Sequence, residues 1–181
     1  TLENCVVQNN TSDFYGGGIS CYYSKPQIIG CEIIGNTANL QGGGFDGTRS
    51  DANFVNCRIA GNTAPRSAAM NCHSQSVTLL ENCTVAGNTA DDSGGGISCG
   101  DGAEIKVKNS IIWGNAAREG GQVYLDELSV AEVSYSDIQG GMGGVYDPCD
   151  GLVWGAGNLD SDPCFVSFDM ADEPDAWDLH L

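Results

Sequence analysis

The sequence predicts an all-β fold: a right-handed parallel β-helix solenoid of about six 26-residue coils, followed by an irregular C-terminal cap. One motif, which in its clearest form ends in Gly-Asn-Thr-Ala, returns every 26 or 27 residues. Its copies begin at Cys5, Cys31, Cys57, Cys83, Ser110 and Ser136. The copies contain short runs of β-branched residues between Gly and Asn, with no helical stretch. Because so short a repeat cannot bury an apolar face alone, stacking on its neighbours must complete the core.

Two apolar positions recur in every copy. One is occupied by Val7, Ile33, Ile59, Val85, Ile112 and Ile138, and the other by Leu2, Ile28, Phe54, Leu80, Val107 and Val133. A further strand follows the Asn-Thr-Ala corner and often begins with a glycine triplet, as at residues 16–18, 42–44 and 94–96. We expect about three strands per coil, with coils stacked about 4.8 Å apart.

Asparagine occupies the same corner position in five copies. These residues are Asn10, Asn36, Asn62, Asn88 and Asn115. Asparagine tolerates turn backbone, and its amide can bond to the amide one coil away. The pattern therefore predicts a structural asparagine ladder. The neighbouring threonines at 11, 37, 63 and 89 are interpreted as turn residues rather than as an ice-binding face.

The chain has nine cysteines. Two inward rows are predicted, one of Cys5, Cys31, Cys57 and Cys83 and one of Cys21, Cys72 and Cys99. Their places in the repeat favour stacked free thiols that act as small buried hydrophobes. No Cys-x-x-Cys spacing occurs, which argues against zinc. Cys149 and Cys164 lie outside the repeats, and we predict a disulfide between them and hence an oxidising compartment.

The predicted domain organisation is residues 1–139 as β-helix coils and residues 140–181 as a C-terminal capping segment. The glycine-rich run 140–144 breaks the period. The tail beyond it is too apolar for a disordered segment, and we expect it to fold over the end of the solenoid. Its large apolar residues are Trp154, Phe165, Phe168, Trp177 and Leu181.

Charge narrows the range of partners. The chain has 24 acidic and 7 basic residues, which argues against nucleic acid and against an anionic membrane surface as partners. The sequence has no membrane-spanning run, so we do not expect membrane insertion. Four basic residues have an acidic neighbour one coil away. The expected ion pairs are Arg58–Glu32, Lys108–Glu81, Arg66–Asp92 and Arg118–Asp91.

The alternation of Gly-Gly-Gly-Ile with Ile-x-Gly-Asn-Thr-Ala resembles bacterial right-handed parallel β-helix repeat proteins of the pectate-lyase-like superfamily. It is also similar to the repeats of polymorphic outer membrane proteins. The tail segments 157–166 and 177–181 resemble the part that closes such helices in large secreted proteins. The resemblance implies an extracellular or cell-surface setting, and leaves lyases, hydrolases, adhesins and fibres open.

The resemblance also raises the question of enzyme activity. Relatives that cleave acidic polysaccharides hold calcium with carboxylates and use Arg or Lys as a base. The nearest such group here comprises Asp91, Asp92, Arg66 and Arg118, which we interpret as a solvated ion-pair face. No catalytic residue is assigned, and a non-enzymatic role is favoured. The two histidines, His73 and His180, are interpreted as structural.

Calcium and glycans stay open as ligands. Calcium could bind carboxylates of Asp160, Asp162, Asp169, Asp172 and Asp175, although their spacing matches no defined calcium loop. Glycans could stack on the rings of Tyr15, Tyr22, Tyr23 and Trp113, although these do not share one repeat position.

The favoured function is an extracellular or cell-surface structural or adhesive module, a stiff acidic rod within a larger β-helix chain or in a head-to-tail homo-oligomeric fibre. In the fibre, the first coil (Leu2, Val7) would contact the tail (Phe165, Trp177, Leu181) of the next subunit. The alternative is a polysaccharide-active enzyme or a glycan-binding module.

Overall fold

The computed structural model describes residues 1–126, 128–167 and Pro174, whose strands form four sheets of parallel strands, named A to D below. The chain passes through A, B, C and D in turn and returns to A one coil further on. The fold is therefore a parallel β-solenoid of about six coils. The sequence predicted about three strands per coil. The fourth sheet arises because the residues after the corner asparagine, such as Thr37–Ala38, form a short strand of their own.

Sheets A and B contain seven and six strands. The strands of sheet A are Leu2–Glu3, Gln27–Ile29, Asn53–Val55, Val77–Glu81, Glu104–Lys108, Val130–Ser134 and Leu152–Trp154. The strands of sheet B are Val6–Gln8, Glu32–Ile34, Arg58–Ala60, Thr84–Ala86, Ile111–Trp113 and Asp137–Ile138.

Sheets C and D contain four and six strands. The strands of sheet C are Thr11–Ser12, Thr37–Ala38, Thr63–Arg66 and Thr89–Ser93. The strands of sheet D are Ile19–Tyr22, Phe45–Thr48, Met70–His73, Ile97–Gly100, Val123–Leu125 and Val145–Tyr146. One short 3-10 helix, Gly141–Gly144, precedes the last of these.

The register of the sheets follows the repeat. Ile59 pairs with Ile33 on one side and with Val85 on the other, and all three side chains are fully buried. Phe54 likewise pairs with Ile28 and Leu80 in sheet A. The predicted fold class is confirmed, since equivalent residues of successive repeats stack in one continuous core.

Strand pairing continues beyond the predicted boundary at residue 139. Val145–Tyr146 extends sheet D, and Leu152–Trp154 extends sheet A. Leu159 then forms a bridge with Asp137 in sheet B. Within the predicted capping segment, residues 140–159 thus add most of another coil, because the glycine-rich insertion interrupts the repeat without ending the strand pairing.

Two described residues of the predicted capping segment, Phe165 and Pro174, lie against the side of the solenoid at sheet B. Phe165 packs against Ala60 and Ala86 on the outer face of sheet B, and both alanines are fully buried. Pro174 lies so close to Gly61 that a Cβ at Gly61 would overlap with the proline ring. The small residues on this face thus make room for Phe165 and Pro174.

Candidate functional site

The outer face of sheet D departs most clearly from the repeat. Strand pairing aligns one residue from each of five successive coils, and the residue type changes from each coil to the next. The order is Ser20, Asp46, Asn71, Ser98 and Tyr124. Their chain neighbours, such as Phe45 and Met70, point into the core and are fully buried. Because strand side chains alternate between faces, these five residues form an outward row, which we call the floor.

Two rows of residues border the floor. The first wall is built on consecutive backbone bridges that join Tyr15, Gln41, Arg66, Ser93 and Glu119. The second wall is the row Tyr22, Thr48, His73 and Gly100. Asp46, Asn71 and Ser98 are only 4 to 5% exposed, so the walls rise above a recessed polar floor.

The recess between the walls is a groove along the solenoid axis. It consists of a cavity of about 410 Å³ over the first coils and one of about 190 Å³ over the following coils. Gln41, Asn71 and His73 line both cavities. The two cavities therefore form a single site, which we call the sheet D groove.

The centre of the floor is held by hydrogen bonds between coils. Asn71 Nδ2 donates to Asp46 Oδ1 at 2.7 Å, and Ser67 Oγ donates to Asn71 Oδ1 at 3.2 Å. Burial raises the pKa of the Asp46 carboxyl above its usual value, opposed by the hydrogen bonds from Asn71 and Thr48. Asp46 is thus a recessed acceptor that a ligand reaches only from within the groove.

His73 lies on the second wall, and its ring is oriented by a chain of two hydrogen bonds. Its Nδ1 lies 2.7 Å from Ser74 Oγ, which donates to Asp101 Oδ2 at 3.1 Å. Because the hydroxyl has one proton, His73 donates through Nδ1 and its Nε2 is the nitrogen that can accept. A serine nucleophile needs the opposite polarity, with its proton passing to histidine. The arrangement therefore positions His73 without activating Ser74.

His73, interpreted from the sequence as structural, also lines the groove. The signal in the sequence was the adjacent Ser74, a hydroxyl next to an otherwise lone histidine. His180 lies outside the described residues.

Tyrosines stand at both ends of the groove. Tyr15 and Tyr22 line the first cavity from opposite walls and are half or more exposed. Tyr124 lines the second cavity and is stacked on Tyr146 with ring centroids 5.0 Å apart. Tyr23 packs edge-on against Tyr22 and under Arg49, whereas Trp113 lies beside Phe165 in a different cavity.

The asparagine positions form a continuous chain of hydrogen bonds. Asn62 Oδ1 accepts from the backbone N–H and the Nδ2 of Asn36, at 2.9 and 3.0 Å. Asn62 Nδ2 donates to Ile33 O and to Asn88 Oδ1, both at 2.9 Å. The pattern extends from exposed Asn10 to Asn115. These residues therefore join successive coils at the corner between sheets B and C and act as scaffold.

Gln122 continues this ladder where the next coil has no asparagine. Asn115 Nδ2 donates to Gln122 Oε1 at 2.9 Å, and Gln122 Nε2 donates back to Asn115 O at 3.0 Å. No repeat signal marks Gln122 in the sequence, because it lies outside the corner motif.

The first cysteine row has a role that was not predicted from the sequence. The sulfur of Cys31 accepts the backbone N–H of Cys5, and the sulfur of Cys83 accepts that of Cys57, both at 3.4 Å. Ser110 and Ser136 provide the same acceptor in later coils. The change from Cys to Ser at one repeat position was the signal for this role. All these cysteines are free thiols.

Cys149 and Cys164 are also free and exposed, so the structure lacks the predicted disulfide. Cys149 follows the last strand of sheet D, whereas Cys164 follows the Leu159 bridge in sheet B. Because the chain passes through sheet A between them, the two thiols belong to different sides of the last coil.

The residues assigned to assembly are not brought together in the described part of the chain. Leu2 is 36% exposed and Val7 is half-buried in the first coil, whereas Phe165 packs on sheet B. Trp177 and Leu181 lie outside the described residues.

The carboxylates considered for calcium have other contacts where they are described. Asp160 Oδ1 accepts from the N–H of Gly140, and Asp162 Oδ1 accepts from that of Cys164, both at 2.9 Å. Within residues 1–126 and 128–167, no three metal-ligating side chains converge. Asp169, Asp172 and Asp175 are not described.

Two of the four expected ion pairs are present, Arg58–Glu32 and Lys108–Glu81, each at 3.7 Å. Arg118 pairs with Asp92 at 3.9 Å instead of with Asp91. Arg66 pairs in register with Ser93 across a β-bulge, and its side chain lines the groove. The bulge shifts the acidic residues that a constant register would have placed beside these arginines.

Comparison with family models gives one match, to the right handed beta helix region, over residues 1–147. The chain belongs to the right-handed β-helix family. No curated protein and no solved structure matches it. In this β-helix protein the match ends at the last strand of sheet D, so it includes the whole groove.

A β-helix is consistent with a surface or structural module. The described part of the chain contains no helix with the length and apolar character to cross a membrane.

Proposed function

We propose that the chain is an extracellular or cell-surface adhesive module, a stiff acidic rod whose sheet D groove binds an extended polymeric ligand. The observation that carries the proposal is the shape of the groove, which runs along several coils and has a recessed polar floor between two walls. Binding sites combine such concavity with a few fixed polar groups. Here the hydrogen bonds from Ser67 to Asn71 and from Asn71 to Asp46 hold such groups in place.

The composition of the groove supports binding more than catalysis. His73 is oriented by Ser74 and Asp101, and Asp126 accepts from the backbone of Asp101 and from Ser129 Oγ. These side chains hold one another in position. The same contacts suit a rigid binding surface, because they lower the entropy that is lost on association.

A broad panel of immobilised polysaccharides tests the proposal. Gln41→Trp fills the centre of the groove, because Gln41 lines both cavities. Val77→Trp, at a 43% exposed position on sheet A, is the matched control. We expect the parent and the control to bind the same set of polymers. The Gln41→Trp variant should not bind these polymers. Equal binding by all three proteins, or by none, would refute the role of the groove.

Labelling of intact producing cells with an antibody tests the location, and the proposal requires the epitope to be accessible.

A head-to-tail fibre is the alternative structural role. It would have to compete with the contact of Phe165 on its own sheet B, and a native mass measurement separates it from the single rod.

A further inference from the structure

We propose that the first cysteine row holds a thiophilic monovalent metal ion of the Cu(I) class, bound in a linear two-sulfur site between Cys31 and Cys57. The site is separate from the sheet D groove. The inference therefore goes beyond the proposed binding function and does not depend on it.

Strand pairing stacks the two thiols along the solenoid axis. Arg58 and Glu32 are partners in sheet B, so the residues that precede them, Cys57 and Cys31, also lie one above the other. Both cysteines belong to the buried core cluster, at 3 and 1% exposure. Their side chains therefore point inward, about one coil spacing of 4.8 Å apart.

This spacing selects the kind of bridge that can join the sulfurs. A disulfide needs sulfurs about 2.05 Å apart and Cβ atoms about 3.8 Å apart, so a direct bond would have to draw the two coils together. Two thiolate–metal bonds of about 2.3 Å each, placed end to end, span about 4.6 Å. A metal ion between the two sulfurs therefore fits the coil spacing.

The number of ligands selects the ion. Structural zinc takes four ligands, whereas no three metal-ligating side chains converge within residues 1–126 and 128–167. A closed-shell monovalent ion such as Cu(I) accepts two ligands in a line, and soft thiolates favour it over hard cations. Binding releases the two thiol protons and leaves one negative charge on the S–Cu–S unit, with no change of oxidation state.

The backbone already provides partners for the sulfurs. The sulfur of Cys31 accepts the N–H of Cys5 at 3.4 Å, and that of Cys57 accepts a hydrogen bond from the backbone of Cys31. Such outer contacts orient a metal ligand and offset the charge of a thiolate. The thiols donate to Ile29 O and Val55 O, each at 3.3 Å. These are the protons that the ion would replace.

A cavity of about 300 Å³ beside the turns between sheets A and B gives the ion a route to this pair. Both Cys31 and Cys57 line it. The other cysteine row also contains a stacked pair, Cys72 and Cys99, but of these two only Cys99 lines the groove. Access therefore favours the first row.

Anaerobic titration with Cu(I) tests the inference, with a chromogenic Cu(I) chelator as competitor and ascorbate as reductant. The starting protein is the full chain with Cys149→Ser and Cys164→Ser, which remove the two exposed thiols. X-ray absorption of the loaded protein counts the sulfur ligands.

Two variants of the starting protein, Cys31→Ser and Cys57→Ser, each remove one ligand. Serine keeps an acceptor for the backbone N–H, as Ser110 does at the same repeat position. Cys72→Ser is the matched control, since it removes an equally buried thiol from the other row. Circular dichroism checks that each variant is folded.

We expect the starting protein to bind its first equivalent of Cu(I) through two sulfurs. Cys31→Ser and Cys57→Ser should each weaken this binding about a hundredfold or more, because the loss of a group that only supports a metal ligand already costs about 10- to 100-fold. The control should bind like the starting protein.

Three or more sulfur ligands would overturn the inference, as would an equal loss of affinity in Cys72→Ser. Full affinity in Cys31→Ser or in Cys57→Ser would show that the ion lies elsewhere, and a folded starting protein that binds no Cu(I) would show that the row holds none. None of these results bears on polymer binding in the groove, which Gln41→Trp tests separately.

Discussion

At the corner between sheets B and C, five coils carry asparagine at one position, whereas along the floor of the groove five coils carry Ser, Asp, Asn, Ser and Tyr. Both rows follow the same strand stacking. The corner side chains bond mainly to the equivalent asparagine one coil away. This pattern requires the same residue type in each coil. The floor side chains face outward, where successive coils do not need the same residue type. In this solenoid, a constant row indicates scaffold and a varied row indicates a surface that is free to take part in recognition.

The core beneath both rows gives the largest expected effect. Ile59 is fully buried between Ile33 and Val85. Ile59→Asp would place a charge without a partner there, at a cost of several kcal/mol or more, and should prevent folding. Circular dichroism and thermal melting provide the measurement. Melting like that of the parent would show that this row is not core.

The asparagine ladder gives the next effect. Asn62→Ala leaves the N–H and the amide of Asn36 without their acceptor. It also leaves Ile33 O and Asn88 Oδ1 without the donor Nδ2. We expect a loss of about 1 to 3 kcal/mol. Urea unfolding measures it, and Thr63→Ala, at an exposed neighbouring position, is the control. A loss no larger than that of the control would contradict the scaffold role of the ladder.

In the cysteine row, a smaller expected effect distinguishes the contribution of side-chain packing to stability from that of hydrogen bonding. Cys83→Ser keeps an acceptor for the N–H of Cys57, as Ser110 does for Cys83. Cys83→Ala removes this acceptor and should cost about 1 kcal/mol more than the serine variant. Chemical denaturation of the two variants side by side is the measurement. If alanine were tolerated better than serine, the row would act only as hydrophobic packing, which is the role that the sequence predicts.

The difference between constant and varied rows also explains what could be predicted from the sequence. The corner motif repeats every 26 or 27 residues, so Asn62 and Ile59 could be assigned to rows from the repeat alone. Along the floor the spacing is less regular: Asn71 follows Asp46 after 25 residues, and Ser98 follows Asn71 after 27. Loops of changing length therefore hide the floor from a search at constant period.

The aromatic contacts of the groove illustrate the same limit. Tyr15 and Tyr22 were considered as sugar-stacking residues, but they share no repeat position and so form no aromatic row in the sequence. They lie in the same coil on opposite walls, and only the turn between sheets C and D brings them to face each other. Periodicity reports stacking along the axis and carries no information about contacts within a coil.

The smallest expected effect concerns Asp46, the one carboxylate recessed in the floor. Burial raises its pKa in the folded state above the usual value near 3.8. The folded protein therefore holds this proton more tightly than the unfolded chain does. The resulting stability is present below the unfolded pKa and is lost as pH rises through the folded pKa.

Asp46→Asn keeps an acceptor for Asn71 Nδ2, whose bond to Asp46 Oδ1 is 2.7 Å long, and removes the titration. We expect the variant to match the parent at acidic pH and to be more stable by less than about 1 kcal/mol at neutral pH. Melting temperatures across this range provide the measurement, with Asp51→Asn as the opposite case, since the Lys25 contact lowers the Asp51 pKa. A parent whose stability rose with pH relative to Asp46→Asn would mean that Asp46 is held as a stabilised anion.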